Sequence, residues 1–512
     1  MKAPSVLLFL SAVANAAHFS REQYESGEVH QKIIDMKNAQ WDALEAAGAL
    51  DSTQWPSWRT WDQLDASVKN GRLECKDGVA VVEEGNPMQT FRCKNMDLYD
   101  FMNHNDMGGG ETDPRYPNRR GSSIWGWVSP AGRQIALIGQ HTGTAFVEIT
   151  CKGKMRYLGR LPAQDPLGSS WREIRVLKDM AIIGSEAVDH NIQIFDLNKV
   201  ADLSPDSPVT FNPQTDLIGL FDDLPIGRAH NVVIDWDNEY AIAVGAQPRN
   251  QTCQAGLEYI DLSNPSSPFK PGCASSDGYT HDAQCVTYNG PDSRFLGRNI
   301  CVAYNEDSVT VWDSTDKAAS TMLGRIEYPG ATYTHQGWWT ERNWHQFVLL
   351  NDELDEVEGV GAAAAGIPIT HIVDLSDLTA PKYTGFFENT DHKAIDHNLY
   401  IEDGIMFQSN YGAGVWVTDV SSIAQYPDGS KIEKIAFFDM HPEDDAAGGS
   451  LEFVGSWGNF QFPSGFIVAN TFERGAYVLR VASGPGRNGG AGFGGPSKLP
   501  SVGRRQAYGS RR

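Results

Sequence analysis

The chain has 512 residues, with 42 Lys and Arg against 65 Asp and Glu, a formal net charge of −23. At 41% hydrophobic and 21% charged residues it can build a large buried core, which excludes a wholly disordered protein. The absence of long apolar runs excludes a multi-pass membrane protein, and the acidic balance opposes binding to nucleic acid, which needs a basic face.

In chain order, Lys2, the apolar run 6–10 and the small-residue end Ala14-Asn15-Ala16 predict a secretory signal peptide over residues 1–16. Its apolar core is too short to span a bilayer, so the mature chain is expected to be extracellular, with no transmembrane segment. Residues 17–74 form a helical and irregular N-terminal extension: helical spacing runs through 28–36, and Trp55, Trp58 and Trp61 follow as aromatics that pack it onto the main domain. Six of the seven cysteines fall into local pairs. An oxidising compartment then favours Cys75–Cys93, Cys253–Cys273 and Cys285–Cys301 as disulfides, with Cys151 left as a buried small hydrophobe. Asn250-Gln251-Thr252 is a glycosylation sequon, with Asn250 the acceptor. Gly108-Gly109-Gly110 reads as a turn before the first repeat. At the far end, residues 482–512 are rich in Gly and Pro and basic, the composition of a disordered tail.

Residues 75–481 carry a repeat. One unit runs from Ala229-His230-Asn231-Val232-Val233-Ile234-Asp235 through Tyr240–Gly245 to Gly256–Leu262, closing on Asn264-Pro265-Ser266-Ser267-Pro268. Each run is short, rich in β-branched or aromatic residues and bounded by turn formers, so each is a strand. The third run, with an Asp at or near its end, recurs as Asn191–Leu197, Val309–Asp313, His371–Leu375 and Gly414–Val420. First strands start near Trp125, Trp171, His230, His281, His335, His397 and Trp457, at intervals of 46 to 62 residues. Four-stranded units at this period predict an all-β fold, a β-propeller of seven four-stranded blades.

The third-strand pattern, Leu-x-x-x-Asp followed by Asn-Pro-x-x-Pro, resembles the LVIVD repeat. Ser123–Trp127, Asp277–Cys285, Asn305–Asp307, Thr334–Trp338, Leu350–Glu356, Ile395–Tyr400 and Phe472–Gly475 make the body similar to the choice-of-anchor B family, and the two ends resemble fungal secreted members of the regulatory P domain-containing type. The resemblance implies a propeller and an extracellular setting. It implies no particular reaction.

In such a fold the start of each first strand and the loop between second and third strands meet at one channel mouth. That convergence makes His230, His281, His335 and His397, with the loop acids Glu306, Asp352 and Glu353, the candidate metal or ligand site. Imidazoles and carboxylates gathered there can hold a divalent cation such as calcium, or act as acid and base. The acidic run Asp352–Glu358 and the following Ala362–Ala365 read as an exposed excursion over this face. Repetition of a histidine also suits blade-to-blade hydrogen bonding. The function expected is that of a noncatalytic binding or scaffold protein, a monomer, recognising an extracellular protein or glycan at the top face of the channel. The alternative is a secreted metal-assisted hydrolase or lyase acting through the His and carboxylate cluster.

Overall fold

The computed structural model describes residues 19–58, 71–109, 113–164, 167–402 and 404–483. The expected signal peptide, Trp61 and tail residues 484–512 lie outside the described residues. Ala482 and Ser483 are described, and both donate to Asn95.

Seven antiparallel sheets follow one another around a ring. Their innermost strands are Gly121–Val128, Arg172–Leu177, Asn231–Asp235, Asp282–Thr287, Thr334–Trp339, Leu399–Glu402 and Ser456–Gln461, close to the seven starts expected from sequence. Blades 2 to 5 have four strands each. Blade 1 gains a fifth, Val209–Thr210, parallel to Met155–Pro162. The hairpin Val79–Val81 and Thr90–Lys94 extends blade 6 through Cys93 and Lys94, which pair with Phe438 and Phe437. Blade 7 takes three strands from the C-terminal end and its outer strand, Met96–Asn103, from the N-terminal side of the ring. This closure joins the two ends of the repeat array and leaves neither blade 7 nor blade 1 at an open end.

The Asp that ends the third strand has a local physical role. Its Oδ1 accepts the backbone N–H two residues on in five blades: Asp196 from Asn198, Asp261 from Ser263, Asp313 from Thr315, Asp374 from Ser376 and Asp419 from Ser421. The repeated carboxylate thus stops the strand and shapes the turn to the fourth one. Close approach of blades demands glycine at some inner positions; a Cβ on Gly126 would lie 2.1 Å from the Phe460 ring.

The three disulfides are those expected: Cys75–Cys93, Cys253–Cys273 and Cys285–Cys301. They close sequence separations of 18, 20 and 16 residues, each stabilising by about 3 kcal/mol in the chain-entropy picture. Reduction under nondenaturing conditions is therefore expected to lower the melting temperature, read by calorimetry with and without reductant. Cys151 differs from expectation. It is exposed, because it sits in the tight turn between the third and fourth strands of blade 1, where the Lys154 N–H bonds back to Thr150. Asn250 is exposed in the turn Arg249–Gln251.

Before the ring, helix α1 spans Arg21–Ser26 and helix α2 spans Glu28–Ala46. Ser20 and Gln23 form a capping box on α1. Gly27, at φ +82°, ends α1 and begins α2, a backbone angle that favours glycine. Positions 29, 33, 37 and 41 are spaced by four and share one face of α2. Val29, Ile33, Lys37 and Trp41 there are all buried.

Candidate functional site

Helix α2 lies across the channel mouth where the candidate residues converge. Trp41 is fully buried, stacks on Phe472 with ring centroids 4.3 Å apart and donates from Nε1 to the Phe453 carbonyl. Arg119 reaches Asn38 and Asp42 of the same helix. Tyr24 in α1 donates to the Thr332 carbonyl, and His30 Nδ1 lies 2.7 Å from the Tyr333 hydroxyl.

Four histidines form a contiguous arc beneath the helix. Ring centroids are 4.1 Å apart for His230 and His281, 3.9 Å for His281 and His335, and 4.5 Å for His335 and His397. Two are tied to a neighbouring blade. His230 Nδ1 sits 2.5 Å from Glu186 Oε1. His397 Nδ1 donates to the Trp457 carbonyl, which fixes its tautomer and leaves Nε2 with the lone pair. No hydrogen bond reaches Nδ1 of His281 or of His335. Burial pushes the imidazoles of His281 and His335 well below their ordinary value and that of His397 down to about 4, so all three are neutral at pH 7.

Glu353 is the carboxylate at the centre of this arc. Its Oε1 accepts from Lys37 Nζ at 2.6 Å and from the Tyr411 hydroxyl at 2.8 Å. Its Oε2 has no hydrogen-bond partner and lies 3.7 Å from His335 Nε2. Burial pushes this carboxyl up, but Lys37 first and then His335 and His397 outweigh it and hold the pKa at about 2. Lys37 also lies 5.0 Å from the centroid of the Phe453 ring, where the ring's negative face favours the ammonium. The side chains of Lys37 and Glu353 are only 4% and 1% exposed.

Other candidate acids have different surroundings. Glu306 pairs with Arg249 at 2.8 Å, away from the imidazole arc. Asp352 accepts from Thr332 N, Tyr333 N, Leu354 N and the Tyr328 hydroxyl, so it braces its own loop. The expected exposed excursion holds only for its far part, where Gly359, Gly361, Ala364 and Ala365 are exposed; its acids are not. Asp352, Glu353, Asp355 and Glu356 are all buried, because α2 covers the loop and Lys37 enters it. Burial holds the Asp355 pKa at about 8 and pushes Glu356 and Asp396 well above the ordinary carboxyl value, so these groups remain largely protonated at neutral pH. His371 Nε2 lies 3.3 Å from Asp355 Oδ2.

Sequence reasoning missed Lys37, His30 and Tyr411. The signal available for the first was a lysine in register with Val29, Ile33 and Trp41. The channel below is filled. Trp125, Trp236, Trp338, Tyr400 and Phe460 pack together, and Arg175 lies over Trp125 with Glu173 and Asp282 beside it.

No family model matches the chain, and no curated protein matches it. Among solved structures, the WD40 β-propeller domain of Doa1 is similar at 8% sequence identity and a TM-score of 0.44, covering 71% of this chain and 93% of that chain. Among the described residues, no helix is long and apolar enough to cross a membrane.

Proposed function

We propose that the chain is a secreted, noncatalytic binding module, a disulfide-braced propeller that recognises an extracellular protein or glycan at its top face. The carrying observation is the buried Lys37–Glu353 pair: the side chains that resemble an acid–base site hold a helix in place and are almost wholly shut off from solvent. Three disulfides favour an oxidising compartment, and the LVIVD-like segments support membership of the choice-of-anchor B family.

The open part of the top face lies beside the plugged channel, between α1 and blades 3 and 4. There a cleft of about 230 Å³ is lined by Arg21, Arg249, Asp277, Glu306, Asp307 and Arg325. Alternating guanidinium and carboxylate groups suit a polar ligand held by charge-assisted hydrogen bonds. Arg325 contacts Asp277 and Asp307 there, at 2.8 and 2.7 Å, so Arg325→Ala is expected to abolish recognition on a glycan and peptide array without unfolding the ring. The same preparation, offered chromogenic ester, phosphate and glycoside substrates with and without added zinc, is expected to show no turnover. Turnover that Glu353→Gln abolishes would favour the hydrolase instead.

A further inference from the structure

Three groups beneath α2 have the geometry of a metal site. One donor atom each from His281, His335 and Glu353 lie within 4.8 Å of one another, all three side chains being buried. Nitrogen and oxygen ligands around tetrahedral zinc lie about 3.3 Å apart, given bonds of about 2.0–2.1 Å, so side-chain movements of about 1 Å would close the set. His281 Nδ1, His335 Nδ1 and Glu353 Oε2 are buried with no hydrogen-bond partner. His397, oriented by its bond to the Trp457 carbonyl, turns Nε2 toward Glu353 Oε1 at 3.6 Å and stands as a fourth donor. Two or three neutral imidazoles with one carboxylate suit zinc or another borderline first-row ion. They do not suit calcium, which takes oxygen ligands.

Charge decides when such an ion can enter. Glu353 and the Lys37 ammonium sum to zero. A divalent ion added to that pair would leave two uncompensated positive charges in a buried site, a cost of several kcal/mol per ion. The ammonium and the metal therefore exclude each other.

We propose that His281, His335 and Glu353, with His397, form a latent site for a zinc-type divalent cation, and that Lys37 of α2 occupies its charge position, so that cation binding and docking of the helix oppose one another. The coupling is reciprocal: a cation that binds loosens α2, and a firmly docked α2 weakens the cation's affinity. This goes beyond recognition at the outer cleft and does not depend on which ligand binds there.

The test uses the full chain with cobalt(II) as spectroscopic probe and zinc for stability. Lys37→Met is expected to bind one equivalent of cobalt with the intense visible bands of a four-coordinate nitrogen and oxygen site, at least tenfold more tightly than wild type. Zinc is expected to raise its melting temperature, and adding His335→Ala to the same chain is expected to remove both effects. Binding no tighter than in wild type, or equal binding by the Lys37→Met/His335→Ala chain, overturns the proposal. Should Lys37→Met not fold, amide hydrogen exchange on wild type decides. Millimolar zinc is expected to accelerate exchange across residues 29–41, and unchanged exchange there overturns the proposal.

Discussion

Replacing Lys37 by methionine is expected to destabilise the protein by about 3–5 kcal/mol, the cost of leaving one partner of a buried ion pair without its counter-charge. The methionine fills the space of the lysine stem, so the loss reports the charge and not a cavity. Glu353, held at a pKa of about 2 chiefly by Lys37 against its burial, must then take up a proton or remain as a buried anion. Glu353→Gln alone is expected to cost a comparable amount, because it leaves the ammonium buried without its carboxylate. The chain carrying both changes is expected to recover most of the loss, since neither charge is then stranded. Urea denaturation of the four proteins forms a double-mutant cycle whose coupling energy isolates the pair. Additive losses would mean that the pair does not hold α2 in place.

The second large effect is on stability against pH. Burial raises the carboxyls of Asp355 and Asp439 to about 8, and those of Asp282 and Glu306 to about 7. Each then keeps a proton in the folded chain that the unfolded chain releases near pH 4, so their contribution is lost as pH rises toward 8. His441, which burial pushes down but Glu473 and Glu443 hold at about 9, acts in the same sense; the other buried histidines named here act in the opposite one. His281 and His335 are held well below their ordinary value, and His104, His141, His371 and His397 at about 4. The unfolded chain protonates these rings below about 6.5 while the folded one does not, so their contribution is lost as pH falls from about 6.5 to 4. Between pH 4 and 6.5 the two sets offset each other; from 6.5 to 8 the carboxyls act together with His441 and without the depressed histidines. Stability is expected to fall over that upper interval by several kcal/mol in all, at about 1.4 kcal/mol per pKa unit per group. Asp355→Asn is expected to flatten the slope, because an amide has no proton to lose. Melting temperatures taken between pH 6.5 and 8 check this, and a flat or rising profile would contradict it.

The ring itself was legible because its signals are local and repeated. Short β-branched runs and turn residues recur seven times at nearly even spacing, with a terminal Asp in five of the units, and each marks a strand or a strand end wherever it occurs. The disulfides were legible for the same reason, since each pair closes a short loop. The histidine arc followed from the repeat, because His230, His281, His335 and His397 stand at or just before the starts of successive inner strands.

What escaped the sequence depends on contacts between distant segments. Met96–Asn103 completes blade 7 although some 350 residues separate it from that blade's first strand, and nothing in its own pattern names its partner. The acids after Asn351 looked solvated because four carboxylates in five residues repel one another in isolation. The lysine and the helix that bury them come from residues 28–46, more than three hundred positions earlier. Lys37 was the visible hint, a charge on the helix face that Val29, Ile33 and Trp41 make apolar. A lysine there either snorkels to solvent or meets a buried acid; its side chain is 4% exposed, which leaves the second outcome.

Metal content of the wild-type protein tests the central claim most directly: the channel-mouth cluster is neutralised from within, by Lys37 on Glu353. Purified full-length protein is analysed for first-row transition metals, and its melting temperature is taken before and after treatment with a strong chelator. The closed arrangement predicts substoichiometric metal and an unchanged melting temperature. A stoichiometric zinc-type ion whose removal lowers the melting temperature would contradict it, since a ligand held by the folded state stabilises that state by mass action.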